Sequence, residues 1–327
     1  MANNNLPKGS NNKLIPIIGV VVALIMLVSF VLALSKFSKP GIDVESSEEP
    51  SKAVEESSEN IVEESSEVSS FEKHEYYDKL NFENLSVRND EIINGPLAAI
   101  KDDSKGYPYI DQSKMVKISN VKTPQVYGLA NTSLSIYSDA IKGIDPFIVE
   151  FYNNVPKNGM IISKAYVSGD SISPADGIID LTTGYSVQFG IYNTSYKFTD
   201  DDFSFLPDQA YKYGVIQRYA VGKEQSTNHS SDYSIYRYVG VAHSAYMKIY
   251  NLSLEEYLDK LRTEKVIEFE TDLVPDTVFV SYYVPTAEGE ETTNVKIPEQ
   301  GRYEYTISGD GTSGFIVTVS VKTTNIE

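Results

Sequence analysis

The hydrophobic and polar positions divide the chain into three stretches with different patterns. Residues 14–34, LIPIIGVVVALIMLVSFVLAL, contain no charge, and only Pro16, Gly19 and Ser29 interrupt the apolar run. At 1.5 Å per residue, such a run makes about 30 Å of helix, which matches the hydrocarbon core of a bilayer. Because the run has no polar face, it does not fit a buried helix of a globular domain. The pattern predicts a transmembrane anchor at 14–34, preceded by a cytoplasmic tail at 1–13.

A cleaved signal peptide is the alternative interpretation of this run. Its apolar core is usually shorter, about 7–15 residues, and a small-x-small cleavage site follows it. Residues 33–35, ALS, form an acceptable site, so cleavage stays open. Lysines flank the run on both sides and orient it only weakly. The acidic segment and the long remainder that follow favour a single-pass protein of the cell membrane with an extracellular C-terminal part.

Acidic and small polar residues dominate the second stretch, residues 35–84. Within it, residues 44–70 read VESSEEPSKAVEESSENIVEESSEVSS and contain no aromatic residue. Charge repulsion and the lack of apolar surface keep such a segment unfolded. The composition predicts a disordered Glu/Ser-rich stalk that separates the anchor from the folded part.

The third stretch begins near residue 85 and has the periodic apolar positions of a globular domain. The pattern predicts a helix over Asn131–Asn153 that Pro146 breaks, and a helix over Leu254–Arg262 that Ser253 and Glu256 cap. The runs GMIISKAY, GYSVQFGIY, GVIQRYA and YSIYRYVG predict strands, and FLPDQAYKYG predicts a helix that ends at a glycine. Strands and helices without strict alternation predict an α+β fold.

Short β-type runs fill residues 263–327. They read VIEFETD, TVFVSYYVP, TTNVKIP, YEYTISG and GFIVTVSVK, and Pro, Gly and Asp separate them. SGDGTSG at 308–314 predicts a hairpin turn, because a calcium loop would need spaced carboxylates and a distal Glu. We expect a β-rich C-terminal extension that packs against the preceding domain.

Composition and charge exclude several kinds of chemistry. The 327 residues include no cysteine, and the net charge is −18. Without cysteine there is no disulfide framework, thiolate nucleophile or thiolate metal site. The acidic balance excludes nucleic acid as the expected partner, because phosphate contacts need clustered Lys and Arg. The chain also lacks a Gly-rich phosphate loop and a G-x-S-x-G nucleophile elbow.

Residues 203–258 carry the motifs of a known family. FSFLPDQAYKYGVIQRYAVGKE is followed by YRYVGVAHSAYMKIYNLSLEEYL. Together they resemble the C-terminal half of the VanY-type zinc D-alanyl-D-alanine carboxypeptidases. In that family K-Y-G leads into F-I-x-R-Y-P-x-G-K, then E-P-W-H-x-R-Y-V-G and L-x-L-E-E-Y-L. The identities are Lys212, Tyr213, Gly214, Arg218, Tyr219, Gly222, Lys223, Arg237, Tyr238, Val239, Gly240, Leu254, Glu255, Glu256 and Tyr257. The resemblance implies a carboxypeptidase-like domain at 85–262, with a small antiparallel sheet flanked by helices.

The resemblance also implies a zinc centre, and this sequence departs from it at every ligand position. In the family, the His and Asp of H-x-x-x-x-x-x-D and the His of E-P-W-H hold the metal, and metal-bound water attacks the peptide carbonyl. The corresponding residues are Leu181, Gln188 and Ile235. Leucine and isoleucine have no donor atom, and glutamine is a weak neutral ligand. Zinc is therefore expected from the family but is not supported by the residues.

Other functional positions of the family are partly kept. Asp232 occupies the position of the glutamate general base and is one methylene shorter, so it is a residual general-base position. Val167 replaces the substrate-binding arginine of the family. Beside these positions we predict a peptide groove. Its predicted binding residues are Tyr166, Ser168, Tyr236 and Arg237.

Three functions stay open at this point. The first is a membrane-anchored extracellular carboxypeptidase homologue without activity, which binds peptidoglycan stem peptides or a cell-wall protein. The second is an active cell-wall peptidase with a non-standard site, for which His229 and Asp232 are the compact pair available. The third is a purely structural surface module whose old groove is packed core. His243 is interpreted as a scaffold residue, and His229 is expected on the surface.

Overall fold

The computed structural model describes residues 74–101, 104–155, 159–171, 178–193 and 195–323. The predicted cytoplasmic tail, the predicted span at 14–34 and most of the predicted stalk lie outside these residues. Within the described ranges, no helix has the length and apolarity needed to cross a bilayer. The described part mixes helices with several small sheets, which confirms the predicted α+β class.

The described residues form thirteen strands and six α-helices. The strands are β1 (Phe82–Arg88), β2 (Met115–Lys117), β3 (Gly128–Leu129), β4 (Ser135–Tyr137), β5 (Met160–Lys164), β6 (Ser186–Ile191), β7 (Val215–Tyr219), β8 (Asp232–Tyr238), β9 (Val266–Glu270), β10 (Thr277–Pro285), β11 (Thr292–Pro298), β12 (Glu304–Gly309) and β13 (Gly314–Lys322). The helices are α1 (Ile118–Val121), α2 (Ser138–Asn154), α3 (Phe205–Gln209), α4 (Glu224–Thr227), α5 (Val241–Ile249) and α6 (Leu254–Glu264).

A five-stranded sheet forms the centre of the carboxypeptidase-like part. Its strand order is β3-β5-β6-β8-β7. Strands β5, β6, β8 and β7 pair antiparallel, and only the two-residue β3 pairs parallel with its neighbour. The four strands predicted from the sequence in this region therefore all form and lie side by side.

Helix α2 covers one face of this sheet. Its apolar residues recur at helical spacing, and Ile144, Phe147, Ile148 and Phe151 are fully buried in one cluster with Phe189 and other residues of the sheet. The helix runs through Pro146, so the predicted break was wrong. A proline inside a helix costs about 3 kcal/mol, and burial of this apolar stripe offsets that cost. The helix also begins later than predicted, because residues 135–137 pair with β2 instead.

All five C-terminal β-type runs form strands, as predicted. Four of them make an antiparallel sheet in the order β12-β13-β10-β9. The predicted hairpin turn joins β12 to β13 and is closed by the buried Asp310. Its Oδ1 accepts hydrogen bonds from the backbone amides of Thr312 and Ser313, each at 2.7 Å. The aspartate in SGDGTSG therefore stabilises a turn.

The N-terminal part of the folded region packs with these C-terminal strands. Strand β1 pairs antiparallel with β11 along its whole length, and Leu80, Ile92 and Ile93 are buried in the same cluster as Val295 and Val317. The sequence pattern placed residues 77–84 in the stalk and 85–100 in the carboxypeptidase-like domain, and the structure differs at both points. The partner of β1 lies about 200 residues further on, so no local pattern reports this pairing.

Helices α5 and α6 join the two sheets. The imidazole Nδ1 of His243 lies 2.8 Å from the Tyr257 hydroxyl, and its Nε2 lies 3.2 Å from the Thr318 hydroxyl on β13. Leu258 and Leu261 of α6 share an apolar cluster with Ile267 and Ile316 of the C-terminal sheet. The predicted cap of α6 is confirmed, with a reciprocal capping box between Ser253 and Glu256.

Candidate functional site

Two of the three positions that hold zinc ligands in the family lie side by side on neighbouring strands of the central sheet. Gln188 on β6 and Ile235 on β8 are directly paired, which places their side chains on the same face with Cβ atoms about 5 Å apart. Leu181 lies in a short 3-10 turn before β6, and its carbonyl accepts a hydrogen bond of 3.4 Å from the Val167 amide. The structure therefore brings positions 188 and 235 together and connects the 166–168 segment to position 181.

The side chains at these positions do not fit a three-ligand zinc centre. Leu181 is 2% exposed and Ile235 is 0% exposed, so both act as buried aliphatic residues. The amide nitrogen of Gln188 donates to the Ser234 hydroxyl at 3.3 Å. Elsewhere in the described ranges, no three His, Cys, Asp or Glu side chains are grouped closely enough to hold a metal ion.

Asp232 is half-buried at the start of β8, opposite Tyr219 of β7. Its Oδ1 accepts hydrogen bonds from the amide and the hydroxyl of Ser234, both at 2.7 Å. Because Gln188 donates to the same hydroxyl, Gln188, Ser234 and Asp232 form a continuous hydrogen-bonded chain. The carboxylate is thus held in one orientation with part of its surface accessible, and it can accept a hydrogen bond from a ligand.

Two of the predicted binding residues are wrong, because both are buried. Tyr236 is 1% exposed and packs between Phe147 and Phe189, with ring centroids 5.6 and 5.1 Å away. Arg237 is 0% exposed, and its guanidinium donates to Asp180 at 2.7 Å. It also donates to backbone carbonyls, including those of Pro96 and Ala98. Both faces of β8 are covered, so alternate side chains are buried on either side.

Tyr166 and Ser168, the other two predicted binding residues, are partly accessible. They follow β5 in a segment of half-buried residues, and the Tyr166 amide donates to the Ser135 carbonyl at 3.1 Å. The segment is therefore tied to strand β4 through this hydrogen bond, and its side chains are partly accessible. Tyr166, Ser168 and Asp232 remain candidates for ligand contact, with Tyr236 and Arg237 removed from the predicted groove.

Sequence reasoning missed a buried ion network beneath the site. Asp180 accepts hydrogen bonds from Arg218 at 2.9 Å and from Arg237 at 2.7 Å, and the Ser186 hydroxyl also donates to it. Arg218 in turn donates to both carboxylate oxygens of Glu255, at 3.0 and 2.5 Å. Two cations and two anions are thus paired away from water, which is the arrangement that buried charges require.

The charge state of this network follows from its contacts. Burial by itself raises the pKa of Asp180, but the adjacent guanidiniums of Arg237 and Arg218 outweigh it and lower that pKa to about 2. The carboxylate is therefore ionised at neutral pH. Arg218 and Arg237 are identities shared with the family motif, and that match was the only signal in the sequence. Nothing in the motif indicated that their partner was Asp180, next to position 181.

The two folded histidines have different surroundings. His243 is buried, and desolvation lowers its pKa to about 4, so it is neutral and structural, as interpreted from the sequence. His229 is half-buried, with its ring stacked on that of Tyr219 at a centroid distance of 3.9 Å. It was expected on the open surface. The stacking shows that its ring is partly used in packing.

Comparisons with known proteins agree with this architecture. No family model matches the chain. It is 28% identical over 256 residues to a D-alanyl-D-alanine carboxypeptidase of Enterococcus faecium, covering 73% of this chain and 80% of that protein. Its fold is similar to that of the vancomycin-resistance D,D-dipeptidase VanXYg, which was solved in complex with a D-Ala-D-Ala phosphinate analogue. The TM-score is 0.57 and the sequence identity 23%, and the match covers 74% of this chain and 100% of that one. The likeness to the LdcB LD-carboxypeptidase is lower, with a TM-score of 0.41 and 18% identity over 55% of this chain and 94% of that one.

The relationship in sequence and the fold lead to the same assignment. The residues that carry the resemblance lie in the central sheet, in α6 and in the turns that connect them. The relative found by sequence is a D-alanyl-D-alanine carboxypeptidase, and the structure with a similar fold is the D,D-dipeptidase VanXYg. The chain is thus a homologue, at 28% identity, of a D-alanyl-D-alanine carboxypeptidase, and its fold resembles that of VanXYg.

Proposed function

We propose that the chain is a catalytically inactive carboxypeptidase homologue that binds peptidoglycan stem peptides at the outer surface of the cell membrane. The observation that carries this proposal is the pair of buried aliphatic side chains, Leu181 and Ile235, at positions where the family has zinc ligands. The apolar run at 14–34 and the acidic stretch after it support the membrane anchor and the extracellular location of the folded part.

The chemistry of hydrolysis supports inactivity. In zinc peptidases the metal lowers the pKa of a bound water and polarises the scissile carbonyl. Asp232 can accept a proton from water, but a carboxylate alone supplies neither effect. Without the metal ligands, the remaining groups bind and orient a peptide and do not activate a nucleophile.

Retained polar groups support peptide binding. The fixed carboxylate of Asp232 can accept a peptide N–H, and the half-buried Tyr166 offers a ring as a wall. VanXYg was crystallised with a D-Ala-D-Ala phosphinate analogue, so D-Ala-D-Ala-terminated peptides are the first ligands to test. Since only part of the predicted groove remains accessible, we expect weak binding, with a Kd in the millimolar range, or about −4 kcal/mol.

The first experiment measures metal and activity. The full-length chain, purified in detergent and incubated with zinc, should retain far less than one equivalent and release no D-alanine from a stem peptide. The triple variant Leu181→His, Gln188→Asp, Ile235→His should gain zinc affinity. A control variant, Val221→His with Ile249→His, places histidines at exposed sites and should gain none. Stoichiometric zinc in the unmodified chain would contradict the proposal.

The second experiment measures binding by titration calorimetry with a D-Ala-D-Ala-terminated stem peptide. Asp232→Ala and Tyr166→Ala should each weaken binding without a change in Tm, and Tyr192→Ala, an exposed tyrosine elsewhere, should not. If the unmodified chain does not bind at millimolar peptide, the purely structural module is the better interpretation. The burial of Tyr236 and Arg237 favours the structural module as the alternative function.

D-alanine release by the unmodified chain would instead identify an active peptidase with a non-standard site. Variants of His229 and Asp232 would then be the first to examine, because these are the compact pair available beside the old centre.

A further inference from the structure

A cavity of about 710 Å³ lies outside the zinc-type site. It is formed by residues 88–95 of the N-terminal segment, by the loop 105–114 and by two tyrosines of the carboxypeptidase-like part. None of Asp232, Gln188 and Tyr166 lines it. Its volume falls within the range of about 300–1,000 Å³ that small-molecule sites have. The cavity is therefore large enough for a ligand and has no assigned role.

Four tyrosines, at positions 107, 109, 137 and 185, line the cavity. Tyr137 and Tyr185 are stacked, with ring centroids 4.6 Å apart and an interplanar angle of 28°. Tyr107 lies against the backbone at Gly169, where a Cβ atom would be 2.1 Å from its Cγ. Tyr109 is 78% exposed. Three rings are thus fixed by packing, and a fourth is free to cover a ligand.

Four of the six charged side chains of the lining are paired with one another. The guanidinium of Arg88 donates to both carboxylate oxygens of Asp90, and Lys114 lies 3.5 Å from Asp111. The remaining charged residues of the lining, Glu91 and Lys105, are one acid and one base. The cavity therefore offers many hydrogen-bonding groups and no excess of either charge. Such a lining favours a neutral polar ligand over an anionic or cationic one.

We propose that this cavity binds a short neutral oligosaccharide. A sugar ring has apolar C–H faces that pack on tyrosine rings, and hydroxyl edges that hydrogen-bond to carboxylates and cationic side chains. The lining alone selects a neutral saccharide, whereas the choice of an N-acetylated sugar as the probe rests on the proposed function at the cell wall.

The position of the cavity fits a ligand shared with the predicted peptide groove. Tyr107 packs on Gly169, which directly follows the segment that contains Tyr166 and Ser168. A saccharide in the cavity would therefore lie beside a peptide held at that segment. The glycan strand and the stem peptide of peptidoglycan are covalently connected in this way, so one polymer can occupy both places.

The test is a calorimetric titration of the full-length chain in detergent with a peptide-free tetramer of N-acetylglucosamine. Binding should be lost or weakened about five- to tenfold in Tyr109→Ala, the size of change that removal of one stacked ring gives. Tyr192→Ala, which is equally exposed and does not line the cavity, is the matched control. Both variants should keep the Tm of the unmodified chain.

Several results would overturn the proposal. One is the absence of saturable binding at 10 mM sugar, which is roughly the upper limit for a weak specific site. Another is an equal affinity of Tyr109→Ala and Tyr192→Ala for the sugar. If Tyr109→Ala weakens the binding of a sugar-free stem peptide and leaves the binding of the sugar unchanged, the cavity is a peptide site. Because sugar and peptide are titrated separately, failure here is distinguishable from failure of the proposed peptide binding.

Discussion

Replacement of Asp180 by asparagine tests the idea that Arg218 and Arg237 support the fold and do not bind a ligand. Asp180 is 0% exposed and accepts hydrogen bonds from Arg218 and Arg237. Asparagine keeps the shape and removes the charge, which leaves Arg218 beside Glu255 and leaves the buried guanidinium of Arg237 with backbone carbonyls alone among its hydrogen-bond partners in the described residues. Removing one partner of a buried ion network costs about 3–5 kcal/mol. Since domains are stable by about 5–15 kcal/mol, this is a large fraction of the total.

Urea denaturation of the full-length chain, followed by circular dichroism, measures this loss. Asp139→Asn is the matched control, because Asp139 pairs with Lys142 on the surface, and such a pair contributes about 0–1 kcal/mol. A loss of less than about 1 kcal/mol in Asp180→Asn, similar to the control, would refute the reasoning. It would mean that the arginines are hydrated and available to a ligand.

The pH dependence of the same variant gives an independent check. The folded pKa of Asp180, about 2, is below its ordinary value of 3.8. The stabilisation is therefore fully present above about pH 4 and is lost as the pH falls from there through 2, by about 2.5 kcal/mol. Asp180→Asn should lack this component of acid denaturation. An unchanged slope in that range would show that other carboxylates dominate it.

The remaining predictions concern the scaffold and the metal. The pKa of His243 is lowered from 6.5 to about 4, so the unfolded state takes up a proton first. Stability should fall by about 3 kcal/mol between pH 6.5 and 4, and His243→Gln should flatten this slope in pH-dependent urea titrations. Gly214→Ala should destabilise the protein more than Gly222→Ala. Both glycines have positive φ, but only a Cβ at position 214 would meet neighbours, at 2.8 Å from the Tyr238 ring and 2.9 Å from the Val241 amide nitrogen. Equal urea midpoints of the two variants would contradict this. EDTA should leave the Tm unchanged in thermal denaturation, because no metal-binding energy is lost, whereas a clear drop would indicate a bound metal.

Much of the fold could be predicted because its local patterns are strong. The strands β5 to β8, the C-terminal strands and the Ser253 cap all follow from apolar alternation or from side chains that bond to their own backbone. Strand β1 was missed, because its register with β11 depends on a partner about 200 residues away. The helix α2 was predicted to break at Pro146, since the sequence does not report how much apolar surface its other residues bury.

The surroundings of the candidate residues could be predicted from the sequence only in part. The motif alignment placed Gln188 and Ile235 at equivalent ligand positions, and the structure pairs them directly. Alternation along β8 gives the direction of each side chain but not which face is covered. For that reason Tyr236 and Arg237 were expected in a groove although they are core. The link from Asp232 through Ser234 to Gln188 depends on side-chain rotamers, which no sequence pattern specifies.

The residues that carry the family resemblance also stabilise the fold. Arg218, Arg237 and Glu255 form the buried ion network, and Lys223 donates to the capping residue Glu256 at 2.7 Å. Each of these matches the family motif, and each would cost stability if lost. The motif therefore reports the requirements of folding in this half of the chain.

The ligand positions are subject to a different constraint. Two imidazoles and a carboxylate at positions 181, 188 and 235 would have few hydrogen-bond partners without a metal. Each such polar group would then cost about 1–3 kcal/mol of stability. Leu181 and Ile235 replace that cost with apolar burial. It follows that the variant with restored ligands should be less stable than the unmodified chain in chelator, and that zinc should recover the difference, because metal binding is then linked to folding. A restored variant with unchanged stability and no zinc response would show that these positions do not form the old centre.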